Sequence, residues 1–234
     1  EHRMKEERMD EIGSIVHNLN QMLDDKETMN REVQKSQQRV YEMELSRKQL
    51  QIQAYQNQIN PHFLYNTFDC IRGMALYKGE EEIAQITMAL SKVFRFAVKG
   101  DNIVTVKEEM DYIREYATII DYRFMGKIEV DYDIDEDLYQ HHVIKLMLQP
   151  IVENAVFHGL EQKVDGGTVE VSVQKWGDDR MRICVEDDGC GMSKERLEEI
   201  RSNLDKKMNT RGIGMSNIYQ RLLLFYGEDI YFDI

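Results

Sequence analysis

The sequence predicts an α plus α+β protein: a long helical first part ending near residue 99, then a mixed α/β sandwich. Three observations carry this. Only two prolines occur in 234 residues, while Glu, Lys, Gln, Met and Leu, which favour helix, are plentiful. Apolar residues of the first hundred positions recur at helical spacing. After Gly100-Asp101-Asn102 the texture changes to short alternating runs bounded by turn residues, the pattern of strands. A hydrophobic content of 42% is compatible with real cores in two modest domains.

Taken in order, residues 1 to about 99 read as helix. Ile12, Val16, Leu19 and Leu23 form one short apolar stripe. Met29, Val33, Ser36, Val40, Met43, Arg47, Leu50, Ala54 and Asn57 then fall on alternating a and d heptad positions, with Ser36, Arg47 and Asn57 spoiling the seam. This is a weak coiled coil or a solvated helix. Leu64, Phe68, Ile71 and Ala75 continue as a buried stripe. Lys78-Gly79-Glu80 breaks the pattern, and a second amphipathic helix runs from about Glu81 to Val98. Such a pair makes an antiparallel hairpin, and two hairpins would bury their stripes as a four-helix bundle.

In the second half, Ile103 to Val106 is a brief extended piece and Lys107 to Met125 is helical. Ile128 to Ile134 alternates like a half-exposed strand, and Val143 to Leu160 is a strongly apolar helix. Strand-like runs at Thr168 to Trp176 and Arg180 to Glu186 flank a Gly-Asp-Asp turn. Two helices, near Lys194 to Leu204 and Met215 to Tyr226, precede a short strand, Ile230 to Ile234. Antiparallel pairing with helices on one face of the sheet is the expected architecture.

The formal charge of −13 argues against nucleic acid or an anionic membrane surface as main partner, since both demand basic patches. Cys70, Cys184 and Cys190 form no disulfide framework and no zinc spacing, as expected of reduced thiols. His2, His17, His141 and His142 sit on solvated or polar stretches. No apolar run reaches the roughly 18 residues that a membrane span needs. The charged, already helical opening Glu1-His2-Arg3-Met4 reads as the start of a fragment of a longer protein.

Four clusters carry chemistry. The first is Gln58-Ile59-Asn60-Pro61-His62-Phe63-Leu64-Tyr65-Asn66. On a continuous helix His62 lies about 180° to 240° from the stripe residues, so it faces solvent with Asn66 one turn on. By itself this also fits a surface histidine beside a kink. The second is Gln149-Pro150-Ile151-Val152-Glu153-Asn154-Ala155-Val156-Phe157-His158-Gly159. Asn154 and His158 share a face, with Glu153 on its edge; polar groups on so apolar a helix are costly to bury without a partner. An amide oxygen suits Mg²⁺, and a satisfied core Asn is the alternative. The third, Asp187-Asp188-Gly189-Cys190-Gly191-Met192, follows a strand. An aspartate there can accept from an adenine amino group while glycines admit a flat ligand; alone, DxGxG is only a turn. The fourth, Arg211-Gly212-Ile213-Gly214-Met215, leads into a helix whose free N–H groups could cradle phosphate, or is a plain loop-to-helix junction. There is no GxxxxGK[ST].

Together the four clusters resemble sensor histidine kinases of the LytS/YesM type, over roughly residues 50 to 234. Residues 10 to 23 look like the second helix of a HAMP relay module. The resemblance implies a HAMP-like helix (1–26), a coiled-coil signalling helix (27–57), a dimerisation and phosphoacceptor hairpin (58–99) and a GHKL (Bergerat) ATP-binding sandwich (103–234). It implies His62 as phosphoacceptor and Asn154 as Mg²⁺ ligand. Asp187 would read adenine, and Gly189, Gly191, Gly212 and Gly214 would shape the pocket and its lid, with His158 beside them. The cofactors would be ATP and Mg²⁺. The partners would be a second copy and the receiver domain of a response regulator, at the cytoplasmic face of a bacterial membrane reached through segments outside this chain.

Several positions depart from the type. Phe63 stands where an acidic residue often takes the proton, which leaves Glu153 as the expected proton acceptor and Asn66 as the group orienting the imidazole. Phe157 stands where a basic, phosphate-touching side chain is common, which leaves Arg211 for phosphate contact. Asn209-Thr210-Arg211 replaces the glycine often found ahead of GxG, and the sequence stops before the closing Gly-Thr strand usual in this fold. A silent ATP-binding scaffold is the alternative function. A clamp-type ATPase fits less well, having no need of an exposed helical histidine.

Overall fold

The computed structural model describes residues 17–24, 61–177, 179–204 and 213–234, with isolated helical positions between 26 and 47. Residues 1–60 and 61–234 form separate compact units. In the first, residues 17–24 are helical and mostly exposed. The HAMP-like and heptad expectations otherwise fall largely outside the described residues. No described helix is long and apolar enough to cross a membrane.

In the second unit, α1 (Pro61–Lys78) and α2 (Glu81–Val98) form the expected hairpin. The turn is a Schellman closure: Glu80 N–H donates to Ala75 O (2.9 Å) and Gly79 N–H to Leu76 O (3.1 Å). Gly79 takes φ 75°, a left-handed conformation that glycine adopts without strain. Small buried residues of α2, Ala84, Thr87, Ala89 and Ser91, let the helices approach. Tyr65 and Ala75 are the buried residues of α1. The expected stripe is therefore only partly covered, since Leu64 and Phe68 are half-buried and Ile71 is 36% exposed. One partner helix covers one side of α1, and the stripe is wider than that side.

The rest of the unit is the α/β part. Strand β1 (Ile103–Thr105) pairs antiparallel with β3 (His142–Ile144). Helix α3 (Val106–Phe124) follows β1 directly, started by a capping box in which the Thr105 hydroxyl accepts from Glu108 N–H and the Glu108 carboxylate from Thr105 N–H. Strand β2 (Ile128–Ile134) runs parallel to β4 (Gly167–Trp176), and β4 antiparallel to β5 (Arg180–Asp187), in the order β2-β4-β5. The alternation of β4 turns Val169, Val171 and Val173 into the core, where they meet Met110 and Ile113 of α3 and Val152, Val156 and Leu160. Helices α5 (Lys194–Leu204) and α6 (Ile213–Tyr226) complete the part.

Two expectations are corrected. Val143 to Leu160 is not one helix. Val143 and Ile144 pair with Val104 and Ile103, and helix α4 (Gln149–Asn154) starts afresh with Pro150 in its first turn. Leu146 adopts φ 58° in the intervening turn. There the buried Glu109 carboxylate accepts from the N–H groups of Leu146 (2.9 Å) and Leu148 (3.1 Å). From Ala155 to Leu160 the helix widens into a π turn, a local feature often found at functional sites. Ile230 to Ile234 forms no ladder among the described residues. Side chains hold it instead: Tyr231 lies edge-on to Trp176, Phe232 packs on Tyr219, and Arg201 pairs with Asp233 at 2.7 Å.

Candidate functional site

The widened end of α4 meets the loop after β5 at Gly159. Cys190 N–H donates to Gly159 O at 3.0 Å, and a Cβ on Gly189 would run into that same carbonyl. The Asp187 carboxylate lies against Gly159 and accepts from Gly189 N–H at 3.0 Å. Gly191 takes φ 66° in open space. The expected Asp187, Gly189 and Gly191 are thus assembled on the α4 end, with Asp187 exposed at the rim. Gly159 closes the second sequence cluster without an expected role; its signal is a glycine ending an apolar helix. Next along, Asp188 accepts from Thr168 N–H and pairs with Lys163 at 3.2 Å. The Thr168 N–H first, then Lys163, holds its carboxyl below the usual range. Asp188 therefore fastens the loop to β4 and leaves Asp187 to face outward.

One helical turn before Gly159, Asn154 is half-buried, and its amide makes no hydrogen bond among the described residues. The start of α6 leans on it: a Cβ on Gly214 would sit 3.5 Å from Asn154 Nδ2 and 4.0 Å from Pro150 Cβ. An unengaged amide beside a glycine fits a phosphate-bound Mg²⁺, which takes few protein ligands. His158 is exposed on the same turn, and its carbonyl accepts weakly from Cys190 Sγ at 3.4 Å. Arg211 and Gly212 lie outside the described residues. Among the described residues no group of three or more His, Cys, Asp or Glu could hold a metal ion.

Glu153 faces α3. Its Oε1 accepts from Tyr116 Oη at 3.0 Å and from Gln149 Nε2 at 2.7 Å, while Gln149 Oε1 accepts from Tyr112 Oη. Burial, then the neighbouring carboxylates, pushes both phenols well above the ordinary tyrosine range, so they remain donors. Tyr112 also stacks on Phe96 of α2, with ring centroids 4.8 Å apart. Gln149 stands one turn before Glu153 on the same helix; Tyr116 and Tyr112 were not visible in the sequence, because each lies 37 positions from the residue it bonds.

On α1, His62 and Asn66 share the exposed face as expected, with Asn66 Nδ2 3.3 Å from His62 Nδ1. They stand on a different element from the α4 cluster.

A helical hairpin bearing an exposed histidine, followed by an α/β part with a glycine-lined rim at the end of α4, is the layout of a histidine-kinase class of protein. A family model described as "Histidine kinase" matches residues 50–128, and one described as "Histidine kinase-, DNA gyrase B-, and HSP90-like ATPase" matches residues 141–233. This chain belongs to the sensor histidine kinases, with an α/β part of the GHKL type. It is 34% identical over 183 residues to the sensor histidine kinase YpdA of Escherichia coli, covering 77% of this chain and 31% of that protein. It is 35% identical over 188 residues to the sensor histidine kinase YesM of Bacillus subtilis, covering 80% and 31%. With the sensor protein kinase HptS of Staphylococcus aureus it shares 28% over 184 residues, covering 77% and 35%. The chain thus spans about a third of the length of these relatives.

Proposed function

We propose that this chain is the kinase portion of a two-component sensor, which phosphorylates itself on His62 from ATP and passes the phosphoryl group to an aspartate of a response regulator. The observation that carries this reading is the His62–Asn66 pair on an exposed helix face. It needs a phosphoryl donor, and the Asn154–Asp187–Gly214 rim supplies a place for one. Residues 58–99 are the phosphoacceptor hairpin and 103–234 the nucleotide domain.

The imidazole nitrogen forms a bond to the γ-phosphorus as the bond to the β,γ-bridging oxygen breaks and ADP leaves. With Asn66 at Nδ1 (3.3 Å), attack falls to Nε2. The carboxamide interchanges its atoms by a half-turn, so it can accept from Nδ1–H and keep Nε2 as the nucleophile. The proton on Nδ1 becomes acidic once phosphorus is attached, and Glu153 receives it. Asp187 orients the adenine, Asn154 would hold Mg²⁺, and Gly189, Gly191 and Gly214 keep the rim open. Bound Mg²⁺ neutralises charge on the transferring phosphate. Positioning and charge, rather than covalent help, dominate such transfers.

Partners follow from the surface. Ile71 and Met74 of α1, three positions apart, and Ile83 and Leu90 of α2, seven apart, are 36%, 55%, 48% and 37% exposed, apolar stripes suited to a second hairpin and a four-helix bundle in a homodimer. Family membership supports a receiver domain as the acceptor of the phosphoryl group. The chain would sit at the cytoplasmic side of a membrane, anchored through other segments. Incubation with Mg²⁺ and γ-labelled ATP tests the reading: acid-labile, base-stable label is expected and is lost in His62→Gln. Label that persists in that variant sinks the assignment.

A further inference from the structure

A nucleoside triphosphate carries several negative charges, and this chain is strongly acidic, so the cations beside the α4 rim matter. Most cations of the α/β part are occupied. Lys163 pairs with Asp188, Lys175 with Asp137 and Arg114 with Asp111, and Arg221 donates to Lys145 O. Arg123, in the last turn of α3, differs. It is exposed and has no carboxylate partner among the described residues.

Its guanidinium is mounted on the α4 helix. The guanidinium carbon lies 4.7 Å from the centroid of Phe157 and 5.5 Å from that of Phe124, and those two rings pack at 6.1 Å. Phe157 follows Glu153 by four residues and Asn154 by three, so its ring borders both on the helix surface. The charge of Arg123 also reaches the Tyr116 phenol that donates to Glu153. A cation in the last turn of α3 is favoured by the helix dipole in any case. That accounts for a positive charge, but not for a guanidinium placed over a ring of the neighbouring helix.

We propose that Arg123 is a phosphate-binding residue of this site, its guanidinium held over Phe157 and donating to the terminal phosphate oxygens of the nucleotide. This rests on reading the Asn154–Asp187–Gly214 rim as the nucleotide site. The planar fork of arginine suits bidentate contact with phosphate, and stacking on an aromatic face pre-orders it.

The test compares binding of ATP, ADP and adenosine, with Mg²⁺ present, by the full chain and its Arg123→Gln and Arg123→Lys variants. Arg123→Gln is expected to weaken ATP about tenfold, as for loss of a charged hydrogen bond. ADP should weaken less, adenosine should be unchanged, and Arg123→Lys should fall between. ATP affinity unchanged in Arg123→Gln overturns the assignment. So does equal weakening of ATP and adenosine, which would mark a packing defect. If the parent chain binds none of the three, the nucleotide site itself falls, and Arg123 with it.

Discussion

The Asp187 carboxylate rests on the bare Cα of Gly159: a Cβ placed there would lie 2.8 Å from Asp187 Cγ. The space that a side chain would fill is what lets Asp187 stand at the end of β5 and bond Gly189 N–H. Gly159→Ala must therefore push Asp187 aside. ATP affinity is expected to fall about tenfold or more, as for a lost charged hydrogen bond, and Asp187→Asn should mimic it. Calorimetric titration decides, and undiminished affinity in Gly159→Ala would remove Asp187 from the site.

The hold on Glu153 gives a kinetic prediction. Tyr116→Phe deletes one donor to Oε1 and should slow autophosphorylation several-fold at saturating ATP, on the order of 1 kcal/mol, with KM unchanged. Glu153→Gln removes the acceptor altogether and should cost roughly 10²-fold or more. Near-normal turnover in Glu153→Gln would end its role as proton acceptor.

The start of α3 gives a stability prediction. Thr105→Ala removes the hydroxyl half of the capping box, leaving the backbone N–H of residue 105 to donate to Glu108, and should destabilise by about 1 kcal/mol in urea unfolding. The hydrogen bonds of Thr105 hold the Glu108 carboxyl below its ordinary 4.5. A depressed folded pKa contributes stability above 4.5 that is lost as pH falls through the folded value. The deficit of Thr105→Ala should therefore shrink in acid. A deficit that does not change with pH would contradict the box.

Glu109 has the opposite sign. Burial raises its carboxyl above 4.5, against the opposing N–H groups of Leu148 and Leu146. A raised folded pKa contributes stability that is present below 4.5 and lost as pH rises through the folded value. Relative to Glu109→Gln, the parent chain should gain melting temperature on acidification from neutral pH. A constant difference between the two would show that Glu109 does not titrate in that range.

Much of the molecule was legible in its sequence, for local reasons. The alternation of Ile128 to Ile134, the hairpin break at Gly79 and the Asn66 position one turn after His62 all follow from short-range periodicity. Val143 to Leu160 misled because apolar content reports burial and not backbone type. The strand was decided by pairing with Ile103 and Val104, and the helix start by Pro150. Ile230 to Ile234 looked like a strand from composition, but a strand also needs a partner edge. Likewise Tyr112, Tyr116 and Arg123 read as ordinary positions of an amphipathic helix. Only the packing of α3 on α4 shows that they surround Glu153 and Phe157.

The central claim is that His62 carries the phosphoryl group, on the nitrogen opposite the one Asn66 engages. Phosphorus–nitrogen correlation NMR on the ¹⁵N-histidine-labelled chain after Mg²⁺-ATP tests both parts at once. The expected result is one phosphorus coupled to Nε2 of a single imidazole, absent in His62→Gln. A phosphorus on Nδ1, on another histidine, or on none would contradict it.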